Sequence, residues 1–239
     1  MLRLLKSWEF AELRDAIGYA GYSAPTLDVI FPSWVNQQVE NATHSLVGIS
    51  RRDDFPAQIS EDECRAFADW LVEHNQEALL WKYRACNRLI FGRDPGGRPG
   101  LGSEVQGLAV AVEGAIQAMC PKPGMSIKAV LPTIWDATTM AAYSKNHPLT
   151  QGVNADLEAA LAKYDHLRSA SFPERNAFYL LITVRIRNGS HLALSVDEIT
   201  AETLVVYLLT AALITFHHVV WTKISAQPKP PAPAVVTAP

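Results

Sequence analysis

Ser60-Glu61-Asp62-Glu63-Cys64-Arg65-Ala66-Phe67-Ala68-Asp69-Trp70-Leu71 opens the longest apolar rhythm in the chain. Ser60 and Glu63 form a capping box, in which a hydroxyl and a carboxylate satisfy free backbone N–H groups at a helix start. Phe67, Trp70, Leu71, His74, Ala78, Trp81, Ala85, Leu89 and Ile90 then recur at spacings of three and four. That period puts them on one helical face. No Gly or Pro interrupts the run before Phe91. The spacing predicts one helix over 61–91, the longest element of an all-α bundle, with His74 as a core or boundary histidine.

Further helix signals flank this segment. Ser7 to Tyr19 reads as an amphipathic helix with Trp8, Phe10, Leu13 and Ile17 on one side. Residues 21–59 carry Pro25, Pro32 and Pro56 and read as an irregular connection, with a short helix around Ser33 to Thr43. After Phe91, the loop Gly92 to Gly102 holds five glycines, two arginines and two prolines. It lacks the Gly-Lys-Ser/Thr ending of a phosphate-binding loop and follows no strand, so it reads as an interhelical connection. Ser103-Glu104 opens a helix through Val105, Leu108, Val112, Ile116 and Met119, and Pro121-Lys122-Pro123-Gly124 closes it. Ser126 to Tyr143 reads as helix with Pro132 at a boundary or kink. Another helix begins at Asn154 and runs to about Leu167.

Ser171-Phe172-Pro173-Glu174 is a second capping box, with proline in the first turn. The β-branched run that follows, Phe178 to Ile186, suits a strand by composition. Its cap and length favour a helix ending at Asn188-Gly189. Ser195, Asp197 and Thr200 offer caps for a last helix. Thr203 to Thr222 contains twenty residues without a formal charge, long enough to span a bilayer. Its dense apolar part, Leu204 to Phe216, has the length of a core helix, and His217 and His218 follow it. Packing inside the protein is therefore expected, with Leu204, Leu208, Ala211 and Phe216 buried. Residues 226–239 hold five prolines among fourteen and show no periodicity, the pattern of an extended tail.

About half of the 239 residues are hydrophobic, enough for a sizeable core. The formal net charge of −3 announces no nucleic-acid binder by bulk charge. Any RNA contact must come from a local basic patch or from one built by two subunits. The three cysteines, Cys64, Cys86 and Cys120, match no zinc spacing and suit a reducing compartment, hence a cytoplasmic location. The Met1 to Glu9 segment is too charged for a secretory signal.

The stretch that carries chemistry is Thr183-Val184-Arg185-Ile186-Arg187-Asn188-Gly189-Ser190-His191-Leu192. Guanidinium groups fork onto phosphate oxygens, and histidine moves protons near neutral pH. The same residues also suit a helix C-terminus, where cations favour the dipole and Asn-Gly stops the helix.

The helices together with this stretch resemble the HEPN superfamily, all-α bundles that include many metal-independent ribonucleases of toxin and phage-defence systems. Their hallmark is an Arg followed by four to six residues and a His. Arg185 to His191 has five residues between. Ala109-Val110-Ala111-Val112-Glu113-Gly114-Ala115-Ile116 is similar to the apolar-Glu-small segment of an earlier bundle helix. In the commonest form Asn directly follows the motif arginine. Here Asn188 follows Arg187, which has only three residues before His191.

The resemblance implies a HEPN-type bundle over 60–225, an N-terminal extension over 1–59 and a Pro-rich tail over 226–239. It implies cleavage of RNA by attack of the ribose 2′-OH on the adjacent phosphodiester. His191 would act as general base or acid, Arg185 and Arg187 would neutralise phosphoryl charge, and Asn188 would hold the imidazole or a phosphate oxygen. It also implies a homodimer that brings two motifs to one cleft, with no cofactor or metal. Two other readings remain open: a non-catalytic binding or regulatory module acting with a protein partner, and a membrane-anchored protein with a span over 203–222.

Overall fold

The Ser60 cap forms as the sequence predicts, but only half of the box does, because the Glu63 carboxylate is taken up by His217. The Ser60 hydroxyl accepts from the Glu63 N–H at 3.2 Å, and three carboxylates in the first turn complement the helix dipole. The computed structural model describes residues 39–52, 55, 58–91, 100–122, 124–138, 140, 172–188 and 196–226. Among these residues the regular structure is helical and no strand occurs, so the chain is an all-α bundle. The helices are α1 (39–50), α2 (Glu61–Glu73), α3 (Ala78–Phe91), α4 (Leu101–Met119), α5 (Ile127–Ile134), α6 (Phe172–Asn188), α7 (Glu198–Phe216) and the short α8 (Thr222–Ser225).

One expectation is corrected here. The run from Glu61 to Phe91 is two helices, and the longest described elements are α4 and α7, at 19 residues each. Asn75 adopts a left-handed φ of 56°. The Gln76 N–H returns to the Leu71 carbonyl at 2.7 Å and the Asn75 N–H to Val72 at 3.2 Å. This pair of reversed bonds is a Schellman ending, with asparagine in the position glycine usually fills. The predicted stripe does not run through the break: His74 and Ala78, its members there, are exposed, and burial resumes one position later at Leu79 and Leu80. His74 caps α2, donates from Nδ1 to the Trp70 carbonyl at 2.9 Å and stacks on the Trp70 ring at 4.2 Å. The irregular connection expected over 21–59 also contains more helix than predicted, since α1 runs to residue 50.

Helices α4 and α7 form the centre. α7 packs on α4, α6, α3 and α2, and α4 packs on α3, α6 and α5. Thirteen residues of α7 are buried, Leu204, Leu208, Ala211 and Phe216 among them as expected. A helix apolar on every side belongs in a core. Thr210 and Thr215 avoid stranding their hydroxyls there by donating to the Val206 and Ala211 carbonyls at 2.7 and 2.8 Å. The chain from Glu198 to Ser225 is long and apolar enough to cross a membrane, yet 72% of its apolar window is buried inside the bundle. Asp197 caps α7 by accepting from the Thr200 N–H at 2.7 Å.

α6 resolves the strand-or-helix ambiguity in favour of helix, and every residue from Asn176 to Thr183 is buried. At the α3–α4 contact the Lys82 stem lies across Gly107, where an added Cβ would meet its Cε at 3.2 Å. The Lys82 ammonium reaches Glu104 at 3.1 Å. Pro132 sits inside α5, which ends two residues later at Ile134. The helices expected at Ser7–Tyr19 and Asn154–Leu167, most of the Gly-rich loop and nearly all of the Pro-rich tail lie outside the described residues.

Candidate functional site

The C-terminal turn of α6 carries three of the four predicted site residues. Arg185 is half-buried, and Arg187 and Asn188 are exposed. Their position follows from the local sequence: the buried run Ala177–Ile182 anchors the helix, and Ile186 is buried between the two arginines. His191 lies outside the described residues, as do Gly189 and Ser190.

Arg187 is held from two sides. Its Nε forms an ion pair with Glu113 Oε2 at 2.6 Å, and its Nη1 donates to Asn188 Oδ1 at 2.9 Å. The Glu113 side chain is 14% exposed, whereas Arg187 is 49% exposed. The half-buried carboxylate on α4 therefore holds the guanidinium by charge while about half of the arginine stays open to solvent. A planar guanidinium held this way offers donors to an anion with little further ordering. Arg185 is two residues earlier on the same helix, a spacing that does not place two side chains on one face. Among the described residues no carboxylate pairs with Arg185. The structure thus separates the arginines: one is tied to α4, and the other stands apart from it.

Sequence reading placed Glu113 in a family-like segment but not beside Arg187, which is 74 positions away in the chain. A second pairing was missed altogether. His217 donates from Nδ1 to Glu63 Oε1 at 2.7 Å, and that carboxylate is only 3% exposed. His217 begins a π-helical turn, His217–Trp221, that follows α7. Burial, and secondarily the neighbouring His217, holds the His218 imidazole down at about 4.

None of the cysteines has the environment of a nucleophile. All three are buried and free. Burial pushes the Cys64 thiol up to about 11 and the Cys86 thiol to about 12, and raises Cys120 as well. Among the described residues no group of three or more His, Cys, Asp or Glu side chains converges as a metal site.

Comparison with known proteins gives no match: no family model, no curated protein and no solved structure matches this chain.

Proposed function

We propose that this protein is a metal-independent RNA endonuclease of HEPN type, acting in the cytoplasm as a homodimer with Arg185, Arg187, Asn188 and His191 at the cleavage site. The observation that supports this most is the fixed guanidinium of Arg187, clamped by Glu113 and Asn188 and still half open to solvent. Oriented donors aimed at a phosphoryl group stabilise the charge that grows during transesterification. In the proposed reaction one His191 takes the proton from the ribose 2′-OH as its oxygen bonds to phosphorus. The bond to the 5′-oxygen breaks, and that oxygen takes a proton from the partner subunit's His191. The products are a 2′,3′-cyclic phosphate and a 5′-hydroxyl. Two motifs facing one cleft also gather positive charge that the acidic chain as a whole lacks.

The test is cleavage of single-stranded RNA in the presence of chelator, with end-group analysis. His191→Ala is expected to lower the rate by about 10²–10⁴-fold, the usual cost of losing an acid–base group. Arg185→Ala should act likewise, and Arg187→Ala more mildly; the reverse ranking makes Arg187 the motif arginine. Arg187→Ala strands the Glu113 carboxylate, so its rate is compared at matched folded fraction. A parent protein that cuts no RNA, or a His191→Ala protein that cuts equally well, ends the enzyme reading.

A second reading has one observation in its favour. The Glu113 carboxylate already neutralises Arg187, as expected of a structural ion pair in a non-catalytic binding module. RNA binding without cleavage, or a stable protein partner with no RNA binding, would support that alternative.

A further inference from the structure

A groove of about 420 Å³ opens between α1, α3 and α7, lined by residues other than the arginines of α6. That volume is within the range of ligand sites, roughly 300–1,000 Å³. Its floor is aliphatic: Ile49, Val205 and Leu209 are buried beneath it. Its α3 wall is a stripe of Tyr83, Asn87 and Phe91, spaced four apart and so on one helical face. Phe91 is 65% exposed, a large aromatic left uncovered at the rim. Among the described residues no hydrogen bond engages the Asn87 amide. At Gly48, on the α1 side, an added Cβ would meet nothing within 4 Å. Aromatic surface alternating with a hydrogen-bond donor is the surface that receives proline-rich, extended peptide: the rings take apolar side chains, and the amide takes a main-chain carbonyl that an extended chain leaves unbonded.

We propose that this groove receives the chain's own segment Val235-Val236-Thr237-Ala238-Pro239, docking in an intramolecular fashion. The sequence supplies the spacer for it. Residues 227–234 include Pro228, Pro230, Pro231 and Pro233. An extended proline-rich chain rises about 3.1 Å per residue, so these eight residues cover roughly 25 Å. The seventeen residues from Ala226 back to Leu209 are helical almost throughout, and a helix of that length spans roughly 25 Å at 1.5 Å per residue. A chain that turns back after α8 therefore brings Val235 and Val236 to the level of Leu209. Pro239 follows about 9 Å further on, within the length of the Tyr83–Phe91 stripe, whose ends are about 12 Å apart on their helix. The valines match the aliphatic floor, and the proline ring matches the exposed aromatic wall. A tethered segment meets its groove at an effective concentration in the millimolar range, so a weak contact suffices to keep it docked.

The test uses the full chain with ¹³C-labelled valine methyls, assigned by substituting Val235 and Val236 in turn. Docking is expected to shift both sets of methyls away from their unfolded-chain positions through the rings of Tyr83 and Phe91, with no change over about a hundredfold dilution. Gly48→Leu, whose Cβ meets nothing within 4 Å and whose longer side chain occupies groove space, should return both sets to unfolded-chain positions with the helical circular dichroism signal unchanged. Phe91→Ala should shrink the displacement while leaving the melting temperature near that of the parent, because the ring is mostly exposed. Valine methyls at unfolded-chain positions in the parent protein would overturn the proposal, as would methyl shifts indifferent to Gly48→Leu. Shifts that vanish on dilution together with a dimer in sedimentation would also overturn it, in favour of exchange between two copies.

Discussion

Replacing His217 with leucine should destabilise the protein more than any nearby surface change, because of what it leaves behind. The Glu63 carboxylate is 3% exposed and accepts from His217 Nδ1 at 2.7 Å. Removing the partner of a buried carboxylate typically costs about 3–5 kcal/mol when the site is fully buried, since the carboxylate is left without its hydrogen bond. His217 is 24% exposed, so water reaches part of the site and the lower end applies, about 3 kcal/mol. Glu63→Leu leaves the His217 ring without its partner but within reach of water, at a cost of about 1–2 kcal/mol. The double variant joins two apolar side chains across the same contact and should lose only about 1 kcal/mol. The singles therefore sum to about 4.5 kcal/mol against about 1 for the double, a coupling near 3.5 kcal/mol. For a domain of this size the His217→Leu loss corresponds to a fall of roughly 6–12 °C in Tm. Urea unfolding followed by circular dichroism at neutral pH measures all four proteins. Leucine is a good helix former, so helix propensity does not mimic the effect. Single losses that add to within about 0.5 kcal/mol would refute the reasoning, since independent sites behave that way.

The other predictions concern the break, the second histidine and the thiols. Asn75→Ala should cost about 1–2 kcal/mol in urea unfolding, because alanine pays the full left-handed penalty at φ 56°, whereas Asn75→Gly should be neutral or stabilising; equal effects of the two would discount the Schellman ending. His218 is held down at about 4 in the folded chain against roughly 6.5 unfolded, so the unfolded state binds the extra proton between those values. Its contribution to stability is complete above about pH 6.5 and is lost as pH falls towards 4, with a slope no greater than one proton supplies; in His218→Gln the dependence of urea midpoint on pH over that window should flatten. Cys64, Cys86 and Cys120 should react with a thiol reagent only after denaturant is added, and rapid labelling of the native protein would contradict their burial and raised thiol values.

The parts of the fold that were legible in sequence are those written locally. The Ser60 and Asp197 caps act through residues three apart, and the apolar period of α4 is plain from Val105 to Met119, although the helix starts at Leu101, two residues before the Ser103 start that the sequence suggests. The break at Asn75 was not legible, because Leu71, His74, Ala78 and Trp81 keep helical spacing in the sequence, although His74 and Ala78 are exposed in the structure. The left-handed turn is made by an asparagine rather than the glycine that usually announces one. α6 read ambiguously because it is buried on every side, so no polar face sets a period. Its helical state is fixed by its surroundings in α4, α5 and α7.

The candidate site was legible as composition and not as arrangement. Arg185, Arg187 and Asn188 are adjacent in sequence, but their division of labour depends on Glu113, and the role of His217 depends on Glu63. Both partners are mostly buried carboxylates on earlier helices. Each receives a side chain from the region after residue 172, an ion pair at Glu113 and a hydrogen bond at Glu63, so the later half of the bundle is tied to the earlier half by polar contacts as well as apolar packing. The consequence bears directly on the proposed chemistry. A guanidinium already bonded to a 14%-exposed carboxylate has part of its field cancelled, and it acts on phosphate mainly by geometry. Arg185 carries no such partner among the described residues, so it contributes the larger uncancelled charge. In the cleavage assay Arg185→Ala should therefore lower the rate more than Arg187→Ala. Arg187→Lys, which keeps charge but loses the fixed fork, should behave like Arg187→Ala rather than like the parent.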